Sequence, residues 1–454
     1  KGGSLGLDQT IRKFLLPLRD LDPSLKKELL ADAWNDLSAK EMLPFHKLLT
    51  GGFRMGVSKG NLCKALSRVS NQEPSRIAQR IAGDWNCENT LFSEIIGPET
   101  AQEKNFSRPY PFCLASPLQE EVTKLGSPED WQVEWKWDGI RMQLLVKINT
   151  ETQKKDIQLW TRGEEFVSEK FPGLIEATDK CIKEDVVLDG ELLVWDFNKN
   201  KPKKFSSIQK LLGKKKPKLE SKNDNSFDKV IFMAYDILSL KGQDLRSNTL
   251  KNRKTILKKL FKEHLTEQEF ILSPIFVNLS PIEVDQQRIS ARQNNSEGVM
   301  LKRINGQYGV GRTKGKTGYD SFKWKMNPLS ADAVIIYAQK GHGIRSGIFS
   351  DYTFAIFNDE KETEELVPFA KAYSGLSNSD MKLIDSKIKK ITEESYGPVK
   401  KVRPEIIVEL LFDSISESKR HKSGIAVRFP RMKRIRFDKN LNDIDRLSSL
   451  KKLI

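Results

Sequence analysis

The sequence predicts a multidomain protein in three parts: a helical domain over residues 1–105, an α+β domain over 106–328 and a small β-barrel over 329–454. Three observations lead there. A chain of 454 residues is too long for one ordinary domain, and a hydrophobic fraction of 38% supplies material for several cores. Apolar spacing switches from helical to alternating near Trp131. Beyond Asn327-Pro328 the chain breaks into short strands with one helical stretch among them.

In the first part Ile11, Leu15, Leu16 and Leu18, then Leu29, Leu30, Ala33 and Trp34, recur at helical spacing. Gly51-Gly52 interrupts the pattern, which resumes through Leu62, Ala65 and Leu66. The chain opens at Lys1 inside this patterned stretch, so a shortened N-terminus is expected. Residues 105–117 carry Pro109, Pro111 and Pro117 and are expected to form a linker. In the second part Met142, Leu144, Val146 and Ile148 alternate with Arg141, Gln143 and Lys147 at the period of a strand. Residues 186–197, 230–238 and 299–302 are further strand candidates, with helices between. In the third part, strands at 333–338, 352–357 and 406–412 with a helix near 379–392 suit a small barrel with an inserted helix, as in an OB-fold.

A formal charge of +16 calls for a polyanionic partner, although DNA, RNA and membrane surfaces would all attract it. Cys63, Cys87, Cys113 and Cys181 are scattered, form no CxxC pair and have only four histidines to complement them. That argues against structural zinc and for free thiols in a reducing cytosol. No apolar run suffices to span a bilayer and no signal-peptide pattern is present, so no membrane partner and a cytoplasmic location are expected. Residues 199–218 hold nine lysines, readable as a solvated loop, a DNA-facing loop or, at Lys214-Lys215-Lys216-Pro217-Lys218, an import signal.

The chemistry concentrates in one ordered series. In Glu134-Trp135-Lys136-Trp137-Asp138-Gly139-Ile140-Arg141, Glu134 and Lys136 stand two apart and so share a strand face. A lysine amine attacks only when neutral, against an ordinary pKa near ~10.4, so cations or a dry pocket must favour that form. Next come Thr161-Arg162-Gly163, then Asp189-Gly190-Glu191, then an aromatic beside an acid in Tyr235-Asp236. Ser296-Glu297-Gly298-Val299-Met300-Leu301-Lys302, Phe322-Lys323-Trp324-Lys325 and Arg428-Phe429-Pro430-Arg431 complete it. Taken singly, each has a bland alternative: a basic strand edge, a core aromatic, a turn acid, a solvated face. Together they meet the needs of nucleotidyl transfer, which requires cations at the α-phosphate, carboxylate oxygens for a divalent ion, a flat ring for the base and an acceptor for the ribose.

This series, covering residues 134–431, resembles the six core motifs of the covalent nucleotidyltransferase superfamily of DNA ligases, RNA ligases and mRNA capping enzymes, whose catalytic domain is an α+β, ATP-grasp-like fold followed by an OB-fold barrel. The resemblance implies that Lys136 carries a nucleoside monophosphate. It implies that Glu134 reads the adenine amino group, Arg141 and Arg162 touch ribose or phosphate, Glu191 holds the ribose hydroxyl and Tyr235 stacks on the base. Glu297, with Glu191, would bind Mg2+ or Mn2+; Lys323 and Lys325 would hold the α-phosphate, and Arg428 and Arg431 would orient pyrophosphate. The stretch 49–58 resembles the glycine-rich turn of the α-helical DNA-binding domain of multidomain ATP-dependent DNA ligases, implying DNA contact through Thr50, Gly51, Gly52, Arg54 and Ser58. Residues 341–347 and 351–355 resemble the barrel opening of bacterial ligases of this type, in particular the accessory damage-response ones. Neither the zinc finger nor the helix-hairpin repeats of NAD-dependent ligases are recognisable, which favours ATP. A monomeric ATP-dependent ligase acting on nicked duplex DNA is therefore expected, with an RNA ligase or capping-type transferase as the alternative sharing this core.

Overall fold

The structure is a computed structural model that describes residues 5–52, 56–57, 59–72, 74–81, 90–98, 109–149, 151–212, 228–265, 268–312, 314–315, 318–341, 347–360 and 365–454. Arg54, Ser58, Cys87, the lysine run at 214–218 and residues 342–346 lie outside the described residues.

The first part is helical. Asp22 accepts from the amides of Ser24 and Leu25 to start α1 (Pro23–Asp36), whose first position holds a proline where no amide is needed. Ser38 and Glu41 form a capping box on α2 (Ala39–Thr50). The next helices are α3 (Lys59–Ser70) and α4 (Pro74–Arg80). Two small cores result, one of Phe14, Ala33, Leu37 and Phe45, the other of Cys63, Ile77, Ala78, Ile81 and Ile95. The helical period is as expected but its phase is not: Leu16, Trp34 and Leu62 are exposed, and Phe14 and Cys63 face inward. Part of the reason is that Ile11–Leu15 winds as a π-helix, which rotates the stripe.

The middle part is built from two sheets. Strands β1 (Ser116–Pro117), β2 (Trp131–Trp137), β3 (Ile140–Ile148), β4 (Lys155–Thr161) and β5 (Val186–Asp196) are followed by β6 (Asp228–Leu240), β7 (Phe270–Leu272), β8 (Ile275–Val277), β9 (Ser296–Arg303) and β10 (Ser321–Lys325). One sheet runs β1-β10-β9-β2-β8; the other carries β4-β3-β5-β6, with β7 parallel to β6. Along β2 the odd positions Trp131, Val133, Trp135 and Trp137 enter the core between the sheets, leaving Glu134 and Lys136 on the opposite face. Asp138-Gly139 then carries the chain from the first sheet to the second. A Cβ on Gly139 would lie 2.4 Å from the Leu192 carbonyl, so that corner requires glycine. The expected linker is only partly one. Ser116 and Pro117 pair with Phe322 and Lys323 at the sheet edge, where proline's missing amide costs no ladder bond, and Tyr110 exchanges two hydrogen bonds with the buried Gln143 side chain. Helix α5 (Leu250–Glu263) packs on β6.

The third part contains β11 (Leu329–Lys340), β12 (Phe349–Asn358), β13 (Glu365–Ala372), β14 (Thr392–Tyr396), β15 (Val399–Val402) and β16 (Ile407–Phe412). They form the sheet β13-β12-β11-β15-β14, with β16 on β11 and the strand Arg431–Ile435 on β16. The helix Asn378–Ile391 buries Met381, Ile384, Ile388 and Ile391, three of them in the barrel core, matching the inserted helix expected from sequence.

Candidate active site

A cavity of about 820 Å³ is lined by residues of both sheets of the middle part and by Arg428 and Phe429 of the barrel. Glu134, Lys136, Arg141, Arg162, Glu191, Tyr235, Glu297, Lys323, Lys325 and Arg428 all line it. Arg431 does not; it approaches through Asp413, donating across 2.9 Å to a carboxylate that also takes Lys325 at 2.9 Å.

Two irregularities of pairing aim the central residues. Between β9 and β2 the register shifts, so that Glu297 and Gly298 together oppose Lys136. The bulge turns the Glu297 carboxylate onto the Lys136 ammonium, and Glu297 Oε2 accepts from Lys136 Nζ. Gly298 sits at φ +140°, and a Cβ there would lie 2.2 Å from the Trp324 carbonyl, so no other residue fits the bulge. A second shift, between Asp189 and Gly190 on β5, makes Tyr235 the extra residue of β6 and points its ring into the cavity.

Around Lys136 charge is dense and self-neutralised. Arg428 comes from the barrel to donate to Asp138 Oδ1 at 2.7 Å and lies 3.4 Å from Glu297. Lys325 lies 3.5 Å from Glu297. Against the pull of burial, Lys136, Lys325 and Arg428 hold the Glu297 carboxyl below the usual range, whereas burial, helped by Glu297, pushes that of Asp138 up. Like charge gathers around Lys323: burial, then Lys136, Arg312, Lys325 and Arg162 pull its ammonium below the ordinary lysine value. Burial also pushes the Glu191 carboxyl up to about 8.

Carboxylates crowd the same end. Among the described residues no group of three or more histidine, cysteine, aspartate or glutamate side chains could hold a metal by itself. Even so, Asp138, Glu191 and Glu297 line the same cavity, and Arg428 bridges Asp138 and Glu297 at 2.7 and 3.4 Å. A divalent ion, Mg2+ in particular, habitually takes one or two carboxylates and completes its shell with phosphate oxygens and water, so this donor set fits it.

Several residues singled out in the sequence have protein partners here. Arg141 is fully engaged by protein: it donates to both Asp189 oxygens (3.2 and 2.7 Å), to the Cys113 carbonyl (2.6 Å) and to the Tyr308 hydroxyl (3.3 Å). In this arrangement it shapes the cavity wall. At the glycine-rich turn the Gly51 and Gly52 amides donate to Leu48 and Lys47 carbonyls, and the Thr50 hydroxyl donates to His46. These hydrogen bonds close the end of α2. Among lysines expected in a free loop, Lys203 pairs with Asp228 and Lys204 donates to the Ile454 carbonyl.

Other site residues went unassigned in the sequence. Arg312 and Tyr308 line the cavity, and Asp413 links the two parts. An acid directly following the strand Ile407–Phe412 was the available signal for Asp413.

Residues 113–319 match the family model described as the ATP dependent DNA ligase domain, and residues 345–439 that of the ATP dependent DNA ligase C terminal region. A "Probable DNA ligase" of Koribacter versatilis is 31% identical over 447 residues, spanning 94% of this chain and 74% of the relative. A "DNA ligase" of Nanoarchaeum equitans is 30% identical over 468 residues, spanning 96% and 79%. The solved structure "Pmar-Lig_Pre." superposes with a TM-score of 0.63 at 17% identity, covering 96% of this chain and 86% of that one, a likeness of fold. The motif series, the cavity in which it converges and these relatives agree: the chain belongs to the ATP-dependent DNA ligases of the nucleotidyltransferase superfamily, enzymes that form phosphodiester bonds.

Proposed function

We propose that this ligase charges Lys136 with AMP from ATP, passes the AMP to the 5′-phosphate at a nick in duplex DNA, and lets the 3′-hydroxyl displace it to seal the strand. The observation that carries this reading is the pairing of Lys136 with Glu297 in a cavity that Lys323 and Lys325 also line. Lys136 must lose a proton before its lone pair can attack the α-phosphorus, and Glu297 Oε2 is the acceptor in contact with it. As the Nζ–P bond forms, the bond to the β-phosphate oxygen breaks and pyrophosphate leaves with the electron pair. Lys323 and Lys325 balance the charge growing on the α-phosphate oxygens, and Arg428 faces the leaving group.

Glu134 reads the base amino group, Tyr235 supplies the stacking face, and Glu191 holds the ribose. Glu297, with Glu191, would hold a Mg2+ ion, which when bound supplies Lewis-acid stabilisation of phosphate charge. Every residue in these roles comes from one chain, so a monomer suffices. After charging, the barrel must turn a different face to DNA, because its Arg428 and Arg431 contacts belong to the nucleotide step. The helical part, with a net basic chain around it, is the remaining grip on the duplex.

The test is incubation with α-labelled ATP and magnesium, followed by a chase with nicked DNA. Label should attach covalently to the wild-type protein, move to DNA in the chase, and be absent from Lys136→Ala. Equal labelling of Lys136→Ala would end the assignment.

A further inference from the structure

Helix α5 sends two consecutive basic side chains, Arg253 and Lys254, into the protein, 3% and 4% exposed respectively. Arg253 forms a two-pronged pair with Asp236, at 2.8 and 3.0 Å, beside the cavity's Tyr235. Lys254 does not line the cavity. Its Nζ lies 2.7 Å from Glu134 Oε1 in an ion pair, and among the described residues no hydrogen bond satisfies it. A buried ammonium left to one carboxylate is costly to keep unless that pairing is required.

The acceptor capacity of Glu134 shows what the pairing does. A carboxylate has about four acceptor sites. Oε1 accepts from the Gln132 side-chain amide and lies against the Lys254 ammonium; Oε2 accepts from Lys302 at 2.9 Å. One site remains on Oε2, on a residue that lines the cavity and is 1% exposed. Lys302 also lies 4.7 Å from the centre of the Tyr235 ring, which ties the stacking surface to the same carboxylate.

We propose that Lys254 is a positioning residue for nucleotide choice: from behind the cavity it holds Glu134 as an oriented acceptor, so that the purine admitted must donate a hydrogen bond at C6. Adenine has an amino group there and guanine a carbonyl, whose lone pairs would oppose those of Glu134 with no donor between them. Sites built around a buried acceptor reject the analogue that cannot donate far more strongly than apolar pockets reject a size change. Two cations against one acid keep Glu134 below the usual carboxylate range despite burial, consistent with a group that accepts and never donates. This inference rests on the base-reading role given to Glu134 above.

The experiment compares ATP, GTP and purine riboside triphosphate, which lacks the C6 substituent, on the whole chain. Equilibrium dialysis gives dissociation constants and covalent labelling gives KM and kcat. Lys254→Met should lose about tenfold or more of the preference for ATP over both analogues, mainly in affinity and KM, while Lys254→Arg retains part of it. If Lys254→Met weakens all three nucleotides by a common factor while Glu134→Gln removes the preference, Lys254 is merely structural and the proposal is wrong. If Glu134→Gln itself leaves the preference intact, the base-reading assignment fails and takes the proposal with it. Should Lys254→Met not fold by circular dichroism, Lys254→Gln, which keeps a polar group in the pocket, is held to the same outcomes.

Discussion

Glu191 is an acid that burial pushes toward neutrality. Shut away from water, its carboxyl ionises only near pH 8 in the absence of metal and nucleotide. The folded protein thus holds a proton that the unfolded chain releases near pH ~4.3. Below that lower value the proton is bound in both states and its contribution to stability is fully present; the contribution is lost as pH rises toward and through 8. In metal-free buffer Glu191→Gln should therefore gain stability relative to wild type across that window. The gain should amount to at most about 1.4 kcal/mol per pH unit in urea titrations. Parallel curves for the two proteins would mean that Glu191 is ionised throughout. The neighbouring acids differ for a reason visible in contacts: Glu297 meets three cations, Asp138 meets Arg428 alone among those that hold it down, and Glu191 touches none closely enough to offset its burial.

At the scale of elements, the site is made by departures from regular strand pairing. A straight ladder between β9 and β2 would leave Glu297 pointing away from Lys136; the two-for-one bulge brings them together, and Gly298 allows it. Gly298→Ala would force the backbone of β9 from that of β10 and displace Glu297. It should lower stability by about 1–3 kcal/mol and reduce the rate of Lys136 charging by a larger factor than a core substitution of equal cost. If thermal melting drops while labelling with ATP stays at the wild-type rate, the bulge does not aim the carboxylate. Much of this level was legible: the strand at 140–148, the barrel strands and the inserted helix stand where hydropathy put them. The bulges were not, because a glycine within a strand pattern signals an irregularity without saying which side chain it turns.

For the whole molecule, ion pairs tether the barrel to the cavity. Arg428 to Asp138, and Asp413 to Lys325, cross from one part to the other. Both tethers use side chains that a triphosphate would also claim, so nucleotide and barrel compete for the same charges. Charge sets the encounter with DNA as well. A chain of net +16 that tracks a phosphate backbone releases counterions on binding. Affinity for nicked duplex should fall on the order of 10³-fold between 50 and 200 mM salt, with little dependence on base sequence. A binding constant indifferent to salt in a filter or anisotropy assay would contradict that picture. Among the described residues no helix is long and apolar enough to cross a membrane.

What the sequence determined by itself was the order of the chemical groups: Lys136 in its strand, the acids and the stacking ring after it, the paired lysines, and the arginines near the end. Such short motifs are carried by local spacing, so they can be read without a fold. Tertiary structure alone decided which of those groups meet. Lys136 and Glu297 are 161 residues apart and Asp138 and Arg428 are 290 apart, and no local pattern encodes contacts at such separations. The same holds for the commitment of Arg141 to Asp189 and Cys113, and for Lys254 behind Glu134. A basic residue in an amphipathic helix looks solvent-facing until the sheet it packs against supplies a buried acid. Pairing across distant strands is settled by burial and register, which belong to the whole chain at once.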